Sequence, residues 1–184
     1  MAKMKETTGI RLAGFGGQGV ILAGLLLGQA AVNDGLYAAG SNSYGAQARG
    51  SACRAEVVIS LKPIDYPHVE NANLFVAMSQ GGYDVFHEQM EEDGVIFYDS
   101  GLVTLLSGIK QKRGLGVTSL SVREFNNKQV ANLIWVGLIA GATGWFSRKA
   151  LESAAKRHVP ERFLGTNLQA LARGLNLGRD WKED

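Results

Sequence analysis

The alternation of apolar and polar stretches predicts an α/β fold for the first two thirds of the chain. The apolar run 10–13 ends at a cluster of glycines and predicts a buried strand, and the apolar stretch 20–32 predicts a helix packed on a sheet. The break 33–35 ends this helix, and 36–40 begins a second strand. A strand, loop, helix and strand within about thirty residues have the size of a βαβ crossover.

The rest of the chain continues this pattern and then changes to helices. Further strands are predicted at RAEVVISL, ANLFVAMS, GVIFYDS and GVTSLSV, with a helix at GGYDVFHEQMEED. Three consecutive helices are predicted between Asn127 and Arg173, with breaks near Ser147 and Pro160. The predicted fold class is therefore α/β, Rossmann-like, with a mostly parallel sheet flanked by helices and a helical C-terminal section. There is no internal repeat and no convincing linker.

Composition restricts the classes of protein to be considered. The chain has 184 residues, of which 46% are hydrophobic and 20% charged, and this is ordinary for a globular protein. A net charge of +2 does not favour a nucleic-acid or membrane partner, and the apolar run 133–146 is shorter than a membrane span. The amino terminus has no apolar segment typical of a signal peptide, so we expect a cytoplasmic protein.

Glycine and cysteine content are both informative. The chain has 24 glycines, nearly double the average frequency of roughly 7%, which indicates tight turns and close backbone approaches. Its one cysteine, Cys53, excludes a disulfide framework, a cysteine-built zinc site and a self-contained iron–sulfur cluster.

The glycine cluster fits a phosphate-binding loop. Gly14, Gly16 and Gly19 have the spacing G-x-G-x-x-G between the first strand and helix. Glycines allow positive φ and close approach of a ligand, and the helix N-terminus offers free N–H groups. Contact with an anion or nucleotide and simple strand–helix packing are both open interpretations. A dinucleotide is less well supported, because 38–41 contains neither the acid that would bind the ribose hydroxyls nor an arginine for a 2′-phosphate.

A second loop, 41–51, follows the second predicted strand. In a parallel sheet it would leave the same edge as the glycine loop, where α/β proteins bind ligands. Arg49 brings a guanidinium suited to phosphate or carboxylate, and Tyr44 brings a ring and a hydroxyl. An ordinary surface loop with a solvated arginine is the alternative.

These segments together resemble a known family. GFGGQG, then SYGAQARG, then EVVIS resemble the gamma subunit, or gamma domain, of the 2-oxoacid:ferredoxin or flavodoxin oxidoreductases. The resemblance continues through DYPHV, LFVAMSQGGYD, NKQVAN and VPERFLGTNLQALARG, and therefore covers nearly the whole chain. It implies that residues 1–184 form a single pyruvate/ketoisovalerate oxidoreductase gamma-type domain. Gln47 and Ser51 depart from the glutamate and glycine of many relatives.

The loop sequence also indicates a branch of the family. SYGAQARG with ACRAEVVIS is most similar to members that act on 2-oxoglutarate, whereas members acting on indolepyruvate usually carry a different loop. Pyruvate and branched-chain 2-oxoacids stay open as substrates, because the substrate pocket is expected largely on other subunits.

The resemblance implies a reaction that this chain cannot perform alone. The family oxidises and decarboxylates a 2-oxoacid with coenzyme A, which gives an acyl-CoA, carbon dioxide and reduced ferredoxin. Thiamine diphosphate and iron–sulfur clusters are needed, yet the sequence has no G-D-G…N thiamine diphosphate motif and one cysteine. We therefore expect an accessory, non-catalytic subunit that binds no cofactor alone. Its expected partners are alpha and beta subunits, with a delta subunit where the complex has one, and ferredoxin or flavodoxin reached through the complex.

The resemblance also suggests that the gamma domain borders the coenzyme A site. The candidate contact residues belong to the two loops: Gly14, Gly16, Gly17, Gln18, Gly19, Ser43, Tyr44, Arg49 and Gly50. No metal ligand is assigned, since the three histidines (His68, His87 and His158) show no ligand spacing, and no catalytic residue is assigned, because catalysis is expected on the partner chains. A stand-alone nucleotide-binding oxidoreductase and a non-catalytic scaffold protein are the competing hypotheses, and a homodimer of the isolated chain stays open.

Four other features have ordinary structural interpretations beside functional ones. Cys53 is expected to be a small buried residue. Asp99 and Ser100 end a strand on the expected ligand edge, and Asn132 matches the family motif but also suits a helix cap or packing. The aromatic residues Trp135, Trp145 and Phe146 are expected in a helical core or a subunit interface.

Overall fold

The secondary structure follows the strand–helix order expected from the sequence. The computed structural model describes residues 4–43 and 52–181. The strands are β1 (Thr7–Phe15), β2 (Tyr37–Ser43), β3 (Ala52–Ser60), β4 (Ala72–Ala77), β5 (Met90–Tyr98) and β6 (Lys112–Gly114). The helices are α1 (Val20–Asn33), α2 (Gln80–Phe86), α3 (Val117–Phe125), α4 (Ala131–Thr143), α5 (Arg148–His158) and α6 (Glu161–Asp180).

The six strands form one mixed sheet in the order β2-β3-β1-β4-β5-β6. β1, β4, β5 and β6 run parallel, as the predicted fold class requires, whereas β3 is antiparallel to both of its neighbours. β3 therefore lies between the two strands of the βαβ crossover, because it returns from β2 as a hairpin. Since β2 and β1 are both antiparallel to β3, they point in the same direction.

The two faces of the sheet are covered very differently. On one face α1, α4, α5 and α6 enclose the larger core. α4 lies inside this layer: every residue from Ala131 to Ala142 is buried, so the helix has no solvent-exposed face. The opposite face has a smaller core under α2 and the adjoining loops.

Most predicted elements are confirmed, but one predicted strand is wrong, one strand was not predicted, and one predicted helix is too long. The segment GVTSLSV forms α3 and not a strand. Its alternation of β-branched and polar residues is typical of a strand, yet Val117, Leu120 and Ser121 fall on one buried side of a helix. The short, polar β6 takes a place on the sheet that no sequence pattern predicted. α2 also ends at Phe86, so the last residues of the predicted helix belong to β5.

A charged pair is buried in the centre of the sheet. Arg11 Nε donates to Glu56 Oε1 at 2.8 Å, and Arg11 Nη1 donates to the carbonyl oxygen of Gln89 at 2.6 Å. Ser41 Oγ donates to Glu56 Oε2 at 3.0 Å. The pair joins β1, β2 and β3 to the loops before β4 and β5. No helix within the described ranges is long and apolar enough to cross a membrane.

Candidate functional site

The glycine loop turns the chain sharply between β1 and α1. Gly17 has φ +95° and Gly19, the N-cap residue of α1, has φ +72°, which are conformations that other residues adopt only with strain. No side chain of the described residues caps α1, and its first turn has no acidic residue. The first N–H groups of α1 therefore remain available at the carboxyl edge of β1.

The glycines of the motif divide into two kinds. Gly14 is buried, and a Cβ atom there would lie 2.9 Å from Val20 Cγ2. Gly16 and Gly17 are exposed, and a Cβ atom at either position would meet nothing within 4 Å. Packing therefore explains Gly14, whereas the middle of the loop leaves space in which a ligand can approach the backbone.

Gln18 holds the loop in shape. Its Oε1 accepts from the backbone N–H of Phe15 at 2.7 Å, and its Nε2 donates to the carbonyl oxygen of Met78 at 2.9 Å. Its backbone N–H donates to the carbonyl oxygen of Phe15 at 3.1 Å. These bonds give Gln18 a structural role in the loop, and its contact with a ligand remains a prediction.

Asn132, at the beginning of α4, packs against the glycine loop at Gly19. A Cβ atom on residue 19 would overlap the Asn132 side-chain amide, and Asn132 Nδ2 donates to the carbonyl oxygen of Gly19 at 3.4 Å. Asn132 could have been a functional residue of the family motif or a capping or packing residue, and this geometry agrees with packing. The contact brings the beginning of α4 to the beginning of α1.

The second predicted loop begins at the same edge. Ser43 ends β2, is exposed, and pairs in register with Arg54, which in turn pairs with Ala13 of β1. The ends of β1 and β2 therefore share one sheet edge, with the beginning of β3 between them. The other candidates of this loop, Tyr44, Arg49 and Gly50, lie outside the described residues.

Arg54 is a residue at this edge that the sequence reasoning missed. Its guanidinium carbon lies 5.1 Å from the centroid of the Phe86 ring, and its Nε lies 3.6 Å from Glu56 Oε1. Its side chain is 30% exposed, so a fixed cation reaches solvent beside the loops. Its position just after the second loop was the signal that could have identified it.

The remaining candidates have structural explanations. Asp99 is fully buried, and its carboxylate accepts from the N–H groups of Gly101 at 3.0 Å and Thr118 at 2.8 Å, so it stabilises the start of α3. Cys53 is buried, and this burial raises the pKa of its thiol. Trp135, Trp145 and Phe146 lie in the core. The described residues contain no group of histidine, cysteine and carboxylate side chains that could hold a metal ion.

These features define an α/β domain whose open glycine loop lies at the carboxyl edge of a mostly parallel sheet. The chain belongs to the pyruvate ferredoxin/flavodoxin oxidoreductase family, whose pattern matches residues 9–177. The resemblance seen in the sequence is thereby confirmed.

Similar proteins cover almost the entire chain. The 2-oxoglutarate synthase subunit KorC of Methanothermobacter marburgensis is 39% identical over 91% of this chain and 95% of its own length. The KorC subunit of Methanocaldococcus jannaschii is 35% identical over 97% of both chains. A crystal structure of the keto/oxoacid ferredoxin oxidoreductase gamma subunit of Geobacter sulfurreducens superposes with a TM-score of 0.85 at 33% identity, over 96% of this chain and 98% of the other. This agreement confirms the predicted fold class.

Proposed function

We propose that this chain is the gamma subunit of a multisubunit, coenzyme A-dependent 2-oxoglutarate:ferredoxin oxidoreductase. The observation that carries the proposal is the 39% identity to a 2-oxoglutarate synthase subunit over nearly the full length of both chains. In the proposed complex a 2-oxoacid is oxidised and decarboxylated, its acyl group is transferred to coenzyme A, and two electrons pass to ferredoxin. The chain takes part as one gamma-type domain spanning residues 1–184, and its cytoplasmic location stays a prediction.

The residues of this chain do not fit an iron–sulfur cluster. Four thiolates are needed for a common cluster, whereas the sequence has one cysteine and its thiol is buried. The clusters therefore belong to partner subunits, and so does thiamine diphosphate, for which the sequence has no recognisable motif. The expected partners are the alpha and beta subunits, with delta as a fourth where the complex has one.

The glycine-loop edge does fit a phosphate-bearing ligand such as coenzyme A. Gly16 and Gly17 are open to solvent, and the first N–H groups of α1 carry the partial positive charge of a helix N-terminus. Arg54 adds a fixed cation, and we expect Arg49 to add a second one. The role of this chain is then to bind and orient the phosphates of coenzyme A at its boundary with the partner subunits.

Co-purification and assay test the proposal. The tagged chain, isolated from its native cell, should carry with it subunits that contain thiamine diphosphate and iron–sulfur clusters. The complex should reduce ferredoxin with 2-oxoglutarate and coenzyme A faster than with pyruvate or a branched-chain 2-oxoacid. Preference for one of the latter would move the chain to another branch of the family, and full activity of the isolated chain would refute the subunit role.

The contribution of the second loop has its own test. Arg49→Ala in the reconstituted complex should raise the KM for coenzyme A while kcat changes less, because a phosphate contact is lost. Arg162→Ala, an exposed arginine on α6, is the matched control and should leave this KM unchanged. An unchanged KM together with failed assembly of the Arg49 variant would make the loop a subunit contact.

A stand-alone dinucleotide enzyme is less well supported. β2 carries no acidic residue along Tyr37–Ser43 that would bind the ribose hydroxyls of NAD. A saturable NAD titration of the isolated chain with micromolar affinity would favour this alternative and contradict the proposal above.

A further inference from the structure

One surface of the protein has almost no charge. Between Arg11 and Arg49 the sequence contains a single charged residue, Asp34, and neither α1 nor β2 contains any. Leu25 and Val32 nevertheless lie on the exposed side of α1, with side chains 48% and 52% exposed. Charged residues are depleted at protein interfaces, whereas an ordinary helix surface carries several of them.

The exposed side of α1 borders a groove. A cavity of about 310 Å³ lies between α1 and β2, and Leu25, Gly28, Val32, Ala38 and Gly40 are among its lining residues. The one charged residue in the lining is Glu56, which is buried and paired with Arg11. The groove therefore presents mainly apolar and small residues, together with the uncharged amides of Gln29 and Asn42.

Asp34 lies just beyond the C-terminal end of α1, and its carboxylate is bound to Ser147. Its Oδ2 accepts from the backbone N–H of Ser147 at 2.7 Å, and its Oδ1 accepts from Ser147 Oγ at 2.6 Å. These bonds hold the carboxylate against the beginning of α5, at the far end of α1. The uncharged surface, made of the exposed side of α1 and the outer edge of β2, therefore ends at this carboxylate.

β2 is an edge strand without the usual protection against pairing. Within the part of the chain that the structure describes, no strand pairs with its outer side. Edge strands are commonly protected by lysine, proline, bulges or inward-pointing charges, and Tyr37–Ser43 has neither charged residues nor proline. Its middle residue is Gly40, and the residues on both sides of it are small.

We propose that this surface binds a second copy of the chain, with β2 pairing antiparallel to β2 of the copy about a two-fold axis near Gly40. An edge strand is complementary to itself in this orientation, because each copy offers the same row of N–H and C=O groups. No like charges meet across the axis. Ala38, Gly40 and Asn42 face the α1 side, and Ala38 and Gly40 at the axis are small enough to let the helices approach.

The position of α1 favours a second copy over an isolated strand from another protein. A two-fold axis perpendicular to the sheet places both α1 helices on the same face, side by side across the new strand pair. Leu25 and Val32 of each copy then cover the groove of the other. A single added strand would pair with β2 but would leave the side chains of Leu25 and Val32 exposed to water.

The oligomeric state of the purified full chain tests this inference. Light scattering after size-exclusion chromatography should give twice the chain mass of 19.7 kDa at micromolar concentration. Leu25→Glu should raise the dimer dissociation constant at least tenfold, because it introduces like charges beside the axis. Val122→Glu on α3 is the matched control, because Val122 is 49% exposed but is not part of the uncharged surface of α1 and β2. This change should leave the dimer intact.

Two results would overturn the inference. The first is a wild-type chain that stays monomeric at 100 µM, and the second is a dimer that Leu25→Glu does not weaken while circular dichroism shows both proteins folded. If the wild-type chain is monomeric but Leu25→Glu abolishes capture of co-expressed partner subunits, the occupant of the surface is a partner subunit. None of these outcomes depends on the substrate, so they are separate from the test of the proposed function.

Discussion

Gly19 and Asn132 lie in direct contact where α1 and α4 begin, and the amide of Asn132 fills the space that a Cβ atom on residue 19 would need. Gly19 is also left-handed, with φ +72°. The loop at the candidate site therefore rests on the most deeply buried helix of the protein.

Gly19→Ala should destabilise the protein by more than about 2 kcal/mol, from a left-handed backbone penalty of about 1–2 kcal/mol and the overlap with Asn132. The free energy of unfolding in urea measures this. Gly19→Ala/Asn132→Ala should recover part of the loss, because the second change removes the overlapping amide. Gly16→Ala, where space is open, should change stability by no more than about 0.5 kcal/mol.

The contact between α4 and α6 depends on glycines that let the helix backbones touch. A Cβ atom at Gly137 would overlap the carbonyl oxygen of Leu171, and one at Gly174 would overlap that of Ile134. Either Gly→Ala change should therefore cost several kcal/mol, on the order of an overpacked core. Gly165→Ala in the exposed part of α6 is the control and should stabilise the protein by about 0.5–1 kcal/mol, measured by the same urea unfolding.

Removing one member of the buried Arg11–Glu56 ion pair should destabilise the protein far more than removing one member of an exposed pair. Arg11→Met removes the main partner of the buried Glu56 carboxylate, which keeps Arg54 Nε at 3.6 Å and the hydrogen bond from Ser41, and should cost about 3 kcal/mol. Arg11→Met/Glu56→Leu should be less destabilised than the single variant. Lys5→Met, which breaks an exposed pair with Asp93, should cost less than about 1 kcal/mol in thermal or urea unfolding.

Acid should weaken the attachment of α3 to α6. Arg173 donates two hydrogen bonds to the Glu124 carboxylate, at 2.8 and 3.1 Å, and these hold the pKa of Glu124 below its usual value. The stabilisation of the folded state by the Glu124–Arg173 pair is complete above the unfolded pKa of about 4.3. It is lost as the pH falls through the lower pKa of Glu124 in the folded state. Glu124→Gln should thus lose less stability than the wild type between about pH 4.5 and pH 3. Glu92→Gln is the surface control and should follow the wild type.

Gly16→Val should raise the KM for coenzyme A in the assembled enzyme. A Cβ atom at residue 16 would meet nothing within 4 Å among the described residues, so the valine side chain would extend into the space over the loop where we propose that the phosphates lie. Melting temperature and subunit composition should remain those of the wild type. An unchanged KM with a folded, assembled variant would place the ligand elsewhere.

The sequence was sufficient for the features that depend on neighbouring residues. The strand, glycine loop and helix around Gly16 are local, so the predicted helix 20–32 agrees with α1 to within one residue. The three C-terminal helices were also predictable, because Ser147 and Pro160 mark the breaks between them. Periodicity and helix-ending residues are visible in any single sequence.

Features that depend on distant partners were not predictable. The direction of β3 has no local signal, because an apolar strand looks the same whether it runs parallel or antiparallel. The helix at 117–125 is stabilised by Asp99, whose carboxylate accepts from Thr118, nineteen positions away. Arg11 stands in a short apolar run, and only the fold reveals that Glu56 neutralises it. Likewise, that Gly14 is packed and Gly16 is open becomes visible only when the neighbouring elements are in place.

The buried position of α4 has a consequence for biosynthesis. This helix begins at residue 131, so the ribosome releases the whole sheet before the helix that covers much of its larger apolar face. During that interval Leu12, Leu74 and Val76 have no α4 to pack against, and the nascent chain exposes a surface suited to chaperones. We therefore expect a chain truncated between β6 and α4 to leave part of the larger apolar core uncovered and to aggregate.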